Sequence, residues 1–218
     1  MRQRRGIRPS VGLLFLLAIL ACLWTGSARL DAAVLKNDSV VDFSQVSIQA
    51  GFIANERAAA WLTSTCNGTL TAVQVLWMST TGGSGQTLGD SITISQAGTF
   101  PNPGSQLAQL VGPALNDGFF NEFPVVPEIP ITIGETVVVD FRFFEAPPSS
   151  GPSVVTDKDG CQASKNGIFA IPPSLWLDSC ILGVGGDFAI RAVVQCTGVI
   201  FEDGFESGDT AAWSSQIP

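Results

Sequence analysis

Carboxylates are the main side chains left for proton-transfer chemistry in this chain, because it has no histidine and no tyrosine. The missing histidine removes the usual general base, the commonest metal ligand and every Ser-His-Asp or Cys-His arrangement. The missing tyrosine excludes a lyase that deprotonates through a phenol, and Lys36, Lys158 and Lys165 leave little room for a Ser-Lys dyad. What survives is glycoside hydrolysis by two acids, one protonated and one ionised, held about 5 to 9.5 Å apart. Glu56, Glu135, Asp140 and Asp187 lie in or beside expected strands, with Asp140 and Asp187 expected to face solvent or pair with Arg142 and Arg191. Asp157-Lys158-Asp159-Gly160 places oxygen ligands two apart before a glycine, a spacing calcium loops use. No third acid or late glutamate follows on schedule, so an exposed acidic turn is the stronger reading for Asp157 and Asp159. Asp203, Glu206 and Asp209 near the end of the chain are weaker calcium candidates of the same kind. No cofactor is implied.

The second chemistry open to this sequence is recognition. A flat aromatic ring binds a pyranose through apolar and C–H to π contact. Of the five tryptophans, Trp24 falls in the leader, Trp77 ends an alternating strand and Trp61 reads as core. Trp176, in an expected loop rich in proline and leucine between two cysteines, is the candidate platform for carbohydrate.

Short runs of apolar residues with a period of two must position these groups, separated by clusters of Gly, Pro, Asn and Ser. Thr136 to Phe144 is the clearest, with Val137, Val139, Phe141 and Phe143 on one face. Others are Leu70 to Met78, Ser91 to Ser95, Leu107 to Leu110, Phe119 to Phe123 and Asp187 to Gln195. Turn signals between them, such as Pro101-Asn102-Pro103-Gly104 and Asn116-Asp117-Gly118, complete the pattern of an all-β chain. Residues 55–62 can be read as a short helix, on the propensity of Glu56 to Ala60, or as a strand. The expectation is a single β-sandwich, jelly-roll-like, of seven to nine strands over residues 34–198.

Arg2, Arg4, Arg5 and Arg8 precede an uncharged run from Val11 to Trp24 and then small residues, the pattern of a secretory signal peptide over residues 1–28. Cleavage is expected after Ala28, with Ala32 or Ala33 as alternatives. Ile19-Leu20-Ala21-Cys22 also permits a lipoprotein reading. The run is shorter than the roughly 20 apolar residues that span a bilayer, so a soluble exported protein is expected, secreted, periplasmic or at the cell surface. From Val34 onward six cations face eighteen carboxylates, a net charge of about −12. That balance argues against nucleic acid as a partner, since phosphate binding relies on clustered Lys and Arg. A polysaccharide or a surface protein is the partner class left.

Cys66, Cys161, Cys180 and Cys196 remain after the leader, at spacings that do not suit zinc. Three pairings are open. The spacing favours a local bond between Cys161 and Cys180 and a long tie between Cys66 and Cys196. Residues 199–218 lack periodicity and form an acidic tail.

Two stretches carry a resemblance. Gly51 to Leu62, followed by Leu70 to Ser79 and by Gly186-Asp187-Phe188-Ala189-Ile190-Arg191-Ala192, resembles a β-sandwich domain that recurs in exported proteins of environmental bacteria. The resemblance implies fold and export, and no activity. Asp203-Gly204-Phe205-Glu206-Ser207-Gly208-Asp209, with Trp213, is similar to a short motif that closes many exported bacterial proteins and also to the opening strand of laminin-G-like or carbohydrate-binding sandwiches. The chain ends too soon after Trp213 for that second likeness to imply a fold. The first implies a terminal tag that is recognised, anchored or removed during export.

Overall fold

A computed structural model describes residues 32–83 and 85–197. The leader with its Cys22 alternative, Trp24, Ser84, and the tail with Asp203, Glu206, Asp209 and Trp213 lie outside these described residues. The fold is all-β, with antiparallel strands in two six-stranded sheets and one two-stranded sheet.

The first sheet is built on β4 (Gly68–Met78). One side of β4 pairs with β9 (Phe119–Ile131), and the other side pairs in turn with β14 (Ile190–Cys196) and β11 (Ser153–Thr156). β1 (Ala32–Leu35) extends the sheet beyond β14, and β2 (Ser47–Ile48) extends it beyond β11. The second sheet runs β13 (Leu175–Asp178), β12 (Asn166–Ala170), β3 (Arg57–Thr63), β10 (Thr136–Arg142), β6 (Ser91–Gln96), β7 (Gln106–Val111). The small third sheet pairs β5 (Gln86–Leu88) with β8 (Ala114–Asn116).

Alternation fills the space between the two large sheets. Val73, Val75, Ile190, Ala192 and Val194 from the first meet Ala58, Ala60, Leu62, Ile92, Ile94, Val137, Val139 and Phe141 from the second in one buried cluster. At about 25 cal/mol per Å² of apolar surface buried, this interface is the main stabilising term. Each sheet also carries a smaller apolar cluster: Val40, Leu76, Val155 and Ala189 in one, and Ala59, Trp61 and Val138 in the other. β9 accommodates Pro124, Pro127 and Pro130 because it forms an edge, where a missing N–H costs no ladder bond.

The described residues form fourteen strands rather than seven to nine. The excess is in β1, β2, β5, β8, β11 and β13, each two to four residues long and too short to show a period. Residues 57–63 are a strand and not a helix. β3 lies between β10 and β12, and ladder bonds on both edges override the helix propensity of three alanines.

Both disulfides follow the pairing that the spacing favours. Cys66 to Cys196 ties the turn before β4 to the end of β14, and Cys161 to Cys180 closes the region around β12 and β13. Among the described residues no helix is long and apolar enough to cross a membrane.

Candidate functional site

The alternation that sends Ala58, Ala60 and Leu62 of β3 into the core sends Arg57, Ala59, Trp61 and Thr63 to the outer face of the second sheet. Register then sets their neighbours. Trp176, Phe169, Arg57, Arg142 and Ser91 form one row across five strands, and Asp178, Gly167, Ala59, Asp140 and Thr93 form the next.

Trp176 is placed in strand β13, not in a loop. Its indole lies 5.6 Å from the Phe169 ring and edge-on to Trp61 at 6.1 Å, while Phe100 packs on Trp61 at 4.9 Å. The Trp61 ring lies over Gly167, where a Cβ would come within 2.8 Å of it. That position therefore has to be glycine for the cluster to close. The Trp61 indole N–H donates to the Ala97 carbonyl at 2.9 Å, and the Arg57 guanidinium lies 5.8 Å over the Phe169 ring. Trp61 is buried, and Trp176, Phe169 and Phe100 are half-buried. Trp61 and Trp77 are both packed in apolar clusters, as their positions in sequence indicate.

Beside Trp61 the same face holds a cleft of about 260 Å³ lined by Trp61, Phe100, Thr63, Thr136, Ser164 and Lys165, with Ala97 and Gly98. Thr63 and Thr136 are cross-strand neighbours with hydroxyl oxygens 2.9 Å apart. Two aromatic rings, three hydroxyls and one cation around a shallow hollow make a set of groups that can bind a polyol. Sequence reasoning missed this cleft. Its polar members are common residue types from β3, β10 and the loop before β12, and nothing in their spacing links them.

The carboxylates are positioned for structural work. Asp140 is buried in the centre of the sheet and pairs with Arg57 at 3.3 Å, rather than facing solvent or pairing with Arg142. The Arg142 guanidinium pairs with Asp90 at 3.3 Å and donates to the Asn55 side chain. Asp187 is also buried, and Arg191 pairs instead with Asp38, through bonds of 2.9 and 2.5 Å. Asp187 accepts from the Gln162 backbone at 2.9 Å, the Gln162 side chain at 2.5 Å and the Asn166 amide at 2.5 Å. Its own N–H donates to Asp157 at 2.8 Å, and Asp157 accepts further from the Ser39 backbone at 2.8 Å. A Cβ on Gly186 would lie 2.1 Å from the Asp157 carbonyl oxygen, so a glycine precedes Asp187 where the chains touch.

Burial raises the Asp157 and Asp187 carboxyls above the usual range, with neighbouring carboxylates adding repulsion: Asp159 for the first, Asp157 and Asp159 for the second. Asp157 is buried, while Asp159 is exposed. Both oxygens of Asp157 already accept from N–H groups, which ties its side chain to the Ser39 and Asp187 backbone. Asp178 lies beside Cys161 and Cys180, whose sulfurs are bonded to each other. Glu56 accepts from the Ile53 and Ile171 backbone, and Glu135 from Thr132, each closing a turn.

Burial raises the Asp140 carboxyl to about 6, against the opposing pull of Arg57. The folded state therefore binds this proton more tightly than the unfolded chain does. The associated stability is present below the unfolded value near 3.8 and is lost as pH rises through 6. Asp140→Asn removes that loss, and its stability relative to the parent is expected to improve by about 2 to 3 kcal/mol between pH 4 and pH 7. Urea unfolding of both proteins at the two pH values measures it; a parent-to-variant difference that does not change with pH would contradict the assignment.

Comparison with protein-family models, with curated proteins and with solved structures finds no match to this chain.

Proposed function

We propose that the chain is an exported, noncatalytic β-sandwich module that binds carbohydrate polymer through the outer face of its second sheet. The observation that carries this reading is Trp176, half-buried beside Phe169 and Arg57, on a rigid sheet face that continues into the hydroxyl-lined cleft at Trp61. Rings held by strands lose little freedom on binding, which favours stacking on a sugar. The leader supports export, and cleavage after Ala28 leaves β1 whole, whereas cleavage after Ala33 cuts it in half.

A binding role is favoured over catalysis by the absence of His and Tyr and by the state of the carboxylates. Three clefts formed by described residues are lined by at most one carboxylate each: Glu56, Glu145 or none. A two-acid glycosidase needs a pair.

A second reading, a structural surface protein displayed through its tail, is favoured by the position of Cys196. This residue ends β14 just before the tail and is bonded to Cys66 in the turn before β4, so a pull on the tail is carried toward the centre of the first sheet. Carbohydrate binding is tested by a panel of soluble and insoluble glycans. The parent protein is expected to bind at least one, without releasing reducing ends, and Trp176→Ala to bind it about tenfold more weakly. Binding to none, with the protein retained at the cell surface, would remove the carbohydrate reading and leave display.

A further inference from the structure

β7 ends the second sheet: β6 pairs with one side of it, and among the described residues no strand pairs with the other. Open edges invite pairing with another chain, and proteins blunt them with proline, charge or short length. The other described edges are blunted in these ways. β9 carries Pro124, Pro127, Pro130, Glu122 and Glu128, β13 ends in Asp178, and β1, β2, β5 and β8 are two to four residues long. β7 is six residues long and holds neither a proline nor a charge. Residues 91–116 around it carry no charged side chain, in a chain that is otherwise strongly acidic. Two acidic copies repel each other over most of their surface, and least along this edge.

The direction of the free backbone groups follows from the ladder. The Gly112 N–H donates to the carbonyl of Asp90, the residue before β6, at 2.8 Å, and alternate residues of an antiparallel strand bond to the same side. Leu110 and Ala108 therefore bond to β6, while the N–H and C=O groups of Gln109 and Val111 point outward. Both residues are exposed, Val111 to 82%. Leu107 is an extra residue in the β6–β7 register, which leaves Ala108 to Val111 as the regular part of the edge.

We infer that β7 pairs antiparallel with β7 of a second copy of this chain, about a two-fold axis at Gln109. The strand is self-complementary at that point. Gln109 of each copy exchanges N–H to C=O bonds with Gln109 of the other, and Ala108 falls opposite Leu110, small against large, on the face toward the core. A two-fold contact closes on itself, so association stops at the dimer. The axis is normal to the sheet, so the outer faces of both copies point the same way, and the pairing does not depend on what those faces bind.

Sedimentation equilibrium of the exported chain up to about 1 mM is expected to show a monomer–dimer equilibrium. Gln109→Lys and Gln109→Glu each set like charges opposite one another across the axis, at an exposed position outside the core, and each is expected to raise the dissociation constant about fivefold. An equimolar mixture of the two variants is expected to associate at least as tightly as the parent, because Lys then faces Glu. Gln109→Lys also makes the chain less acidic, so association through any other face would strengthen. A parent that stays monomeric throughout, either variant associating as well as the parent, or a mixture no tighter than its components would each overturn the inference.

Discussion

Replacing Cys66 and Cys196 together by alanine is expected to lower stability by about 5 kcal/mol, the largest loss from any pair of substitutions proposed for this protein. The bond joins residues 130 apart in sequence, so its removal releases a long loop in the unfolded chain. Cys161 and Cys180 are 19 apart, and their removal is expected to cost about 3 kcal/mol on the same basis. The contrast reflects more than loop length. Cys196 is buried at the end of β14, where Thr197 donates to the Asn67 carbonyl at 2.7 Å and Gly68 lies against the Gln195 backbone, so the tie also holds β14 in register on β4. Denaturant unfolding of the two double variants measures the effect. A smaller loss for the Cys66 pair than for the Cys161 pair would contradict this account of the first sheet.

Asp187→Ala is expected to destabilise the fold by about 3 to 5 kcal/mol, although the charge it removes is itself costly to bury. The loss comes from what is left behind. The Gln162 backbone, the Gln162 side chain and the buried Asn166 amide all donate to this carboxylate, and without it they face a cavity. Asn166 also accepts from the Phe188 N–H at 3.2 Å, so disorder there spreads to the entry of β14. Asp178→Ala is the control. That side chain is half-buried and accepts from the Cys180 and Ser164 backbone at the surface, and its loss is expected to cost about 1 kcal/mol. Equal effects in the two variants would show that the Asp187 network carries no special weight.

These two cases also mark how far the sequence can be read. The strand at Thr136 to Arg142 and the pairing of the cysteines were legible, one from alternation and the other from spacing. Asp140 and Asp187 were not. In an alternating strand Asp140 reads as solvent-facing, but the outer face of its sheet is itself partly covered by Trp61, Phe100 and Trp176; Asp187 lies just before β14 and is buried by contacts with Gln162 and Asn166, which are distant in sequence. A second apolar layer outside a sandwich leaves no period of its own. The helix propensity of Ala58, Ala59 and Ala60 misleads for a related reason: small residues are needed there on both faces, with Ala60 and Ala58 in the core and Ala59 under the aromatic cluster. Trp176 was recognisable as a candidate, but its packing on Trp61 depends on Gly167 and on the β12–β13 pairing, neither of which its neighbours in sequence reveal. The cleft residues Thr63, Thr136, Ser164 and Lys165 come from three separate segments that only the folded sheet brings together.

The most direct test of carbohydrate binding by the second sheet is a backbone amide chemical-shift titration of the ¹⁵N-labelled protein with an oligosaccharide cut from a polysaccharide it retains. The expected shifts cluster at Arg57, Thr63, Lys165, Phe169 and Trp176 on the outer face of that sheet. Shifts confined to β14, β4 and β9 on the opposite sheet, or none at saturating sugar, would contradict it.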